Sequence, residues 1–328
     1  MIPLIAIDCG YGFCKGVSDK KELRFPSVVS LATERGFVQP PSSTEVESKQ
    51  GLVITYKEKD WFVGQLALSQ GHHPRATLDR SRTKSTEMDI LFLAMAACLA
   101  PSPISEIEVV TGLPVTDFAD HAWLVSHFTG THRFKLNGTP YELTIRKVSV
   151  VPQPYGGYFN RLVTSSGFVE ESLSQGTIGI IDIGYLTADL VLVRDGEYIE
   201  KLCTSLPGGI SEVYRNCGKI LSAHYPSRFE ERDVENVLRE DVIYHMGRQI
   251  PLDRSLIYPE FVSYADRIVS TVETLWSREQ VGLMIGCGGG IFPLRSVMQE
   301  RWPAIVIQAD AQMSNVRGYY KFGMITKD

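Results

Sequence analysis

The chain has 328 residues, enough for two cores, and its 44% hydrophobic and 22% charged residues are the balance of a globular protein. A formal net charge of −5 argues against bulk electrostatic binding to nucleic acid. Six cysteines without a C-x-x-C pair argue against a zinc site or a disulfide framework and point to reduced thiols in a cytoplasmic setting.

The opening "MIPLIAIDCG" has no basic n-region and meets an aspartate at Asp8, so it does not read as a signal peptide. "LIAIDCGYGFCKGVS" reads as strand, turn, strand, and "ELRFPSVVS" as a third strand broken at Pro26. Residues 33–85 are polar and turn-rich and read as a small insertion, with the strand-like "LVITYKEKDWFVG" inside it. "TEMDILFLAMAACLA" reads as a buried helix capped by Thr86, and its apolar run is far below the ~20 residues of a bilayer span. "EIEVVTGLPV" is a buried strand, and "HRFKLNGTPYELTIRKVSVVPQP" a hairpin turning at Asn137-Gly138. "VPQPYGGYFNRLV" leads into a helix. "GTIGIIDIGYLTADLVLVRDGEYIEKL" is a strand meander. "GGISEVYRNCGKILSAHY", "EERDVENVLRE" and "YADRIVSTVETLW" read as helices, the last with Ile268, Val272 and Leu275 on a core face. The buried strand "VGLMIGCGGG", a helix from about Pro293 and the helical "SNVRGYYKFGMI" complete the chain.

One pattern occurs twice. "IAIDCGYGFCK" and "GIIDIGYLTAD" share two apolar residues followed by Asp-x-Gly-Tyr, at Asp8 and Asp182. Two equivalent strand–turn–strand units imply a duplicated architecture with two turns facing each other across a cleft. Glycine turns of this kind bring successive backbone N–H groups close to phosphate oxygens. Asp8 and Asp182, at the strand ends, are placed to hold a magnesium ion through water, and Lys15 adds positive charge. The plainer reading is a pair of ordinary hairpins with capping aspartates. A third cluster, Gly286-Cys287-Gly288-Gly289-Gly290, ends a strand ahead of a helix and could receive a nucleoside or its α-phosphate.

Other phosphate signatures are missing: no G-x-x-x-x-G-K-[ST] loop, no third glycine after "GYGFCK", no protein-kinase motifs. His72-His73, His127 and His132 lack acids or thiols at ligand spacing and read as exposed or capping histidines.

These residues resemble the motifs of the actin–chaperone–sugar kinase ATPase superfamily, and the nearest branch is the ParM/StbA-like actin-like proteins of bacteria and archaea. Asp8 to Lys15 resembles the first phosphate loop, with Gly10, Tyr11, Gly12, Phe13 and Lys15 at the nucleotide. Asp182 to Asp189 resembles the second, with Gly184, Tyr185, Leu186 and Thr187. Val151 to Gly157 is similar to the first connecting segment, and Asn315 to Tyr319 to the second. Gly286, Gly288, Gly289 and Gly290 resemble the adenosine motif. The resemblance gives Gln153 the orientation of the water that attacks the γ-phosphate, with Asp8 and Asp182 on the magnesium side. It also brings Gly208, Gly209, Glu212 and Lys219 to ribose and adenine. Tyr185-Leu186 departs from the small residues usual in the second loop, which leaves ATP or GTP preference open.

The fold expected is α/β, the two-domain actin/chaperone/sugar-kinase ATPase fold with duplicated ribonuclease H-like topology. Residues 1–154 plus 310–328 form the first domain, with the insertion at 33–85. Residues 155–309 form the second, with a helical insertion at about 210–280. The function implied is a nucleotide-driven polymerising ATPase using ATP or GTP and Mg2+, forming cytoskeletal filaments in plasmid or DNA segregation. Its partners would be itself and an adaptor linking it to DNA, with no direct nucleic-acid contact and no membrane. The alternative is a non-polymerising member, such as a sugar or metabolite kinase or a nucleotide-dependent switch.

Overall fold

The computed structural model describes residues 2–32, 51–72, 75–76, 83–276 and 281–327. The polar stretch 33–50 and His73 lie outside the described residues. Contacts divide the chain into two compact units, Met1–Phe168 with Asn315–Asp328, and Val169–Ser314.

The first unit contains strands β1 (Leu4–Cys9), β2 (Phe13–Val17), β3 (Glu22–Pro26), β4 (Val28–Leu31), β5 (Leu52–Tyr56), β6 (Lys59–Val63), β7 (Arg75–Ala76), β8 (Ile104–Leu113), β9 (Gly130–Leu136) and β10 (Thr139–Pro152). Among the described residues they form one sheet in the order β3-β2-β1-β8-β10-β9-β5-β6-β4-β7. The strand-like "LVITYKEKDWFVG" is the β5–β6 hairpin, and β5 joins the sheet at β9. Its helices are α1 (Gln65–Gln70), α2 (Thr86–Leu99), α3 (His121–Phe128) and α4 (Tyr155–Leu162).

Helix α2 is apolar on every side, and Ile90 to Ala96 are fully buried in the unit's core. Its cap is Ser85 and not Thr86: the Ser85 hydroxyl accepts from the Met88 amide at 3.1 Å, and Thr86 is the first helical residue. Pro26 ends β3, and the break before β4 falls on Ser27.

The second unit begins with the short helix α5 (Glu171–Ser174) and continues through β11 (Thr177–Ile183), β12 (Thr187–Arg194), β13 (Glu197–Tyr198) and β14 (Thr204–Pro207). Helices α6 (Ile210–His224) and α7 (Glu231–Glu240), the hairpin β15 (Val242–His245) and β16 (Arg248–Pro251), and α8 (Tyr258–Leu275) follow. Then come β17 (Leu283–Cys287), α9 (Arg295–Arg301) and β18 (Val306–Ile307), after which α10 (Ser314–Thr326) belongs, from Asn315 on, to the first unit. The main sheet runs β13-β12-β11-β17-β18, with β14 also paired to β12. On α8, Ile268 and Val272 are buried in the core and Leu275 packs against it.

The two main sheets repeat one pattern. In the first unit β1 pairs antiparallel with β2 and β2 with β3, while β1 pairs in parallel with β8 and β8 with β10. In the second, β11, β12 and β13 form the antiparallel series, and β11 pairs in parallel with β17 and β17 with β18. This is the duplicated ribonuclease H-like topology, an α/β fold. β11 has no polar alternation because a strand in parallel pairing is buried on both faces.

In the first unit α4 and α10 touch backbone to backbone. A Cβ on Gly318 would lie 1.7 Å from the Gly156 carbonyl oxygen, so only glycine fits. Among the described residues, no helix is long and apolar enough to cross a membrane.

Candidate functional site

The β1–β2 turn of the first unit holds a compact polar constellation. Asp8 and Lys15 are register partners, and the Lys15 ammonium donates to Asp8 Oδ2 at 2.8 Å. Asp8 is 1% exposed and Lys15 9%, so the pair sits in a medium that strengthens its attraction and penalises loss of either partner. Gln153 follows the end of β10 and donates from Nε2 to Asp8 Oδ1 at 3.1 Å. Its own backbone is fixed at both ends: the amide donates to the Leu113 carbonyl at 2.7 Å, and its carbonyl accepts from the Tyr319 hydroxyl at 3.2 Å. The structure therefore brings Asp8, Lys15 and Gln153 together, each oxygen of one carboxylate meeting a different donor.

Gly10, Tyr11, Gly12 and Phe13 form the loop between the two strands, with Gly10 buried beside the Lys15 ammonium and the other three half-buried. Ser27, fully buried, pins this loop. Its amide donates to the Gly12 carbonyl at 2.9 Å and its hydroxyl to the Gly10 carbonyl at 2.6 Å. Sequence reading passed over Ser27, whose only signal is its place after Pro26.

In the second unit the β11–β12 turn repeats this geometry. Asp182 is opposite Asp189, and the Gly184 amide donates to the Thr187 carbonyl at 2.9 Å. Asp182 is 4% exposed and Asp189 2%. The Thr187 hydroxyl donates to Asp189 Oδ2 at 3.0 Å. Tyr185 points away along α7: its hydroxyl donates to the Glu231 carboxylate at 2.6 Å, and burial pushes the phenol pKa up. The residue that departs from the usual loop pattern is thus an anchor. Leu186 is half-buried in the same turn.

The other two glycine clusters of this unit pack directly on that turn. Gly209 caps α6, and the first two helical amides, Ile210 and Ser211, donate to the Gly184 and Tyr185 carbonyls at 3.0 and 3.1 Å. Gly288 has φ +81, and a Cβ there would lie 2.2 Å from Asp182 Oδ1 and 2.3 Å from the Ile183 carbonyl oxygen. A Cβ on Gly290 would meet Ile183 and Ile210. Gly289 lies against Gln312, and Gly286 inside β17 against Ile291 and Ile307.

Glu212 folds back over Gly208 and is held by both Arg267 terminal nitrogens, at 3.1 and 3.0 Å. The Tyr264 hydroxyl donates to the Gly208 carbonyl at 2.9 Å. Neither Arg267 nor Tyr264 carried a sequence signal beyond its helix. Lys219, seven residues after Glu212, is exposed on α6 and shares its face. Among the described residues, no group of three or more His, Cys, Asp or Glu side chains is placed to hold a metal ion.

Comparison with known proteins agrees with this geometry. Residues 6–156 match the family model "Actin like proteins N terminal domain", and residues 180–300 match "Archaeal actin homologue MreB-like, C-terminal". The chain has the actin-like fold, and each of its two halves matches a model of an actin-like domain. Its fold is similar to that of Ta0583, an archaeal actin homologue, with a TM-score of 0.82 at 18% identity over 98% of each chain. The same homologue in complex with ADP gives 0.78 at 17% identity, again over 98% of each chain. A 15-stranded ParM filament from Clostridium botulinum gives 0.76 at 23% identity, over 98% of this chain and 99% of that one. No curated protein matched the sequence.

Proposed function

We propose that this actin-like protein is an ATPase that binds a nucleoside triphosphate with Mg2+ and assembles into filaments as a function of nucleotide state. The observation that carries the reading is the Asp8 carboxylate, buried and held by Lys15 and Gln153 at the mouth of a glycine turn. Phosphoryl transfer asks a protein for positioning and charge stabilisation more than for covalent chemistry, and this cluster supplies both. Lys15 offers positive charge to phosphate oxygens, and Gln153 is the amide that orients the attacking water.

The donor set also fits magnesium. Asp8 already spends both oxygens on protein donors, so it suits a hydrated ion contacted through water, with Asp182 acting likewise. When bound, the ion neutralises charge on the phosphates. Gly10, Gly12 and Gly184 give backbone access to the phosphates, and Gly208, Gly209 and Gly286 to Gly290 form the nucleoside side with Glu212 and Lys219.

Self-assembly is supported by likeness to a filament structure over nearly the whole chain. Segregation of plasmid or other DNA, through an adaptor that the acidic chain would need, is the cellular task we propose. The test is right-angle light scattering over a protein concentration series with Mg-ATP, Mg-GTP, Mg-ADP or no nucleotide, alongside phosphate release. Scattering that rises above a critical concentration only with triphosphate, and decays as phosphate appears, supports the reading. Hydrolysis with a flat trace overturns the filament and leaves a kinase or a switch.

A further inference from the structure

The first hairpin carries a second cross-strand pair that the phosphate chemistry does not use. Cys9 ends β1 and Cys14 lies in β2, and the register sets them opposite each other, one step beyond the Asp8–Lys15 pair. Their Sγ atoms are 3.2 Å apart, and neither cysteine is in a disulfide. The other four cysteines lie at Cys98, Cys203, Cys217 and Cys287, far along the chain.

Directly opposed residues of an antiparallel pair have Cα separations of about 4.5–5.5 Å. A disulfide spans about 4.4–6.8 Å. The two sulfurs can therefore reach a bond length of about 2.05 Å by side-chain rotation, with the strand register kept. The exposures differ in a useful way: Cys9 is 5% exposed and Cys14 is fully buried, with Sγ directed at the Leu91 carbonyl 3.8 Å away. Any oxidant that enters reaches Cys9 first.

We propose that Cys9 and Cys14 are an oxidation site at which hydrogen peroxide forms a reversible disulfide that closes the base of the Gly10–Phe13 loop. The Cys9 sulfur attacks one peroxide oxygen and the O–O bond breaks, giving a sulfenic acid at Cys9 and one water. The Cys14 sulfur then attacks the Cys9 sulfur, and the hydroxyl leaves with the Cys14 proton as a second water. Two thiols lose two protons and two electrons, and one peroxide is reduced to two waters. The loop flanked by Asp8 and Lys15 becomes part of a small covalent ring, and the strand ends can no longer part. Burial of both sulfurs makes the step slower than at an exposed thiol.

The experiment treats the purified full chain with peroxide, alkylates the remaining thiols, digests with trypsin and weighs the peptide ending at Lys15. The expected peptide is about 2 Da lighter, unalkylated, and restored by dithiothreitol. Amide exchange over Gly10–Phe13 slows about tenfold in the oxidised protein. Cys14→Ser, which keeps the side-chain shape, leaves a Cys9 sulfenic acid that dimedone traps, and Cys9→Ser leaves Cys14 reduced. Circular dichroism confirms that both variants fold. The proposal is overturned if both cysteines of the wild-type peptide remain alkylated while Cys98 is oxidised. It is equally overturned if Cys9 goes to sulfinic acid with no loss of 2 Da, or if dimedone labels Cys9 as much in the wild type as in C14S.

Discussion

The two glycine hairpins share a backbone pattern and differ in charge at the rung of the aspartate. In each, an aspartate near the end of a buried first strand is followed by a four-residue turn and a second antiparallel strand. In the first hairpin the residue opposite the aspartate is Lys15, and in the second it is Asp189. An apolar run plus one glycine is enough to build the turn. The residue across from the aspartate then decides its electrostatics. The first hairpin balances its own charge with a 2.8 Å ion pair, whereas the second places two buried carboxylates in register. Under the proposed function, the first meets phosphate through Lys15 as well as through a hydrated ion at Asp8, and the second only through a cation.

The strongest way to break this contrast is to make the first hairpin like the second. Lys15→Asp would oppose two carboxylates where Asp8 is 1% exposed. Removing one partner of a buried pair costs about 3–5 kcal/mol, so urea unfolding should show a loss of that order. The double variant Asp8→Asn with Lys15→Met, which leaves no unpaired charge, should recover most of it. A loss under about 1 kcal/mol for K15D would mean that the pair is already well solvated.

Glycine substitutions sharpen the comparison next. Gly288→Ala forces a side chain into φ +81 and onto the Asp182 carboxylate, for an expected cost of about 3 kcal/mol. Gly10→Ala in the first hairpin has ordinary φ and meets the Phe13 carbonyl oxygen at 3.0 Å, so it should cost about 1 kcal/mol or less. Equal losses would show that the second turn does not depend on the close approach of β17's glycine run.

Gln153→Ala tests the chemistry assigned to the first hairpin. It removes the 3.1 Å bond to Asp8 and, under the proposal, the orientation of water. Single-turnover phosphate release should fall about 100-fold, near 2.7 kcal/mol in barrier, with nucleotide affinity within about threefold. An equal fall in affinity would make Gln153 a binding residue instead.

The sequence made both hairpins legible because their signal is local: an apolar run, an aspartate and a glycine in a fixed order. What it concealed depends on partners distant along the chain. Tyr185 read as a departure from pattern until Glu231, 46 residues on, explained it. Arg267 carried no signal beyond its place in a helix, yet it holds Glu212 across 55 residues. His127 read as exposed or capping, but it meets the buried Asp89 at 2.7 Å, with the Tyr56 hydroxyl on the other oxygen at 2.9 Å. Helical or strand periodicity carries no information about such pairings. The hairpin β15–β16 was missed for a different reason, since its turn is Met246-Gly247 and lacks the Asn-Gly or Asp-Gly signal.

That missing signal yields the smallest effect. Asn137, Asp195 and Met246 all hold the left-handed first position of a two-residue turn ahead of glycine, with φ of 49, 50 and 47°. Asn and Asp ease this conformation with short polar side chains, and Met does not. Met246 is 92% exposed, so no packing offsets the strain. Met246→Asn should therefore stabilise the protein by about 0.5–1 kcal/mol, read as a shift in urea midpoint at constant slope. Asn137→Met should cost more than that gain, because the Asn137 side chain also accepts from the Val53 amide at 2.8 Å. The excess of the loss over the gain measures that one bond, and about 1 kcal/mol is expected. Equal and opposite shifts would mean that backbone conformation alone sets both turns.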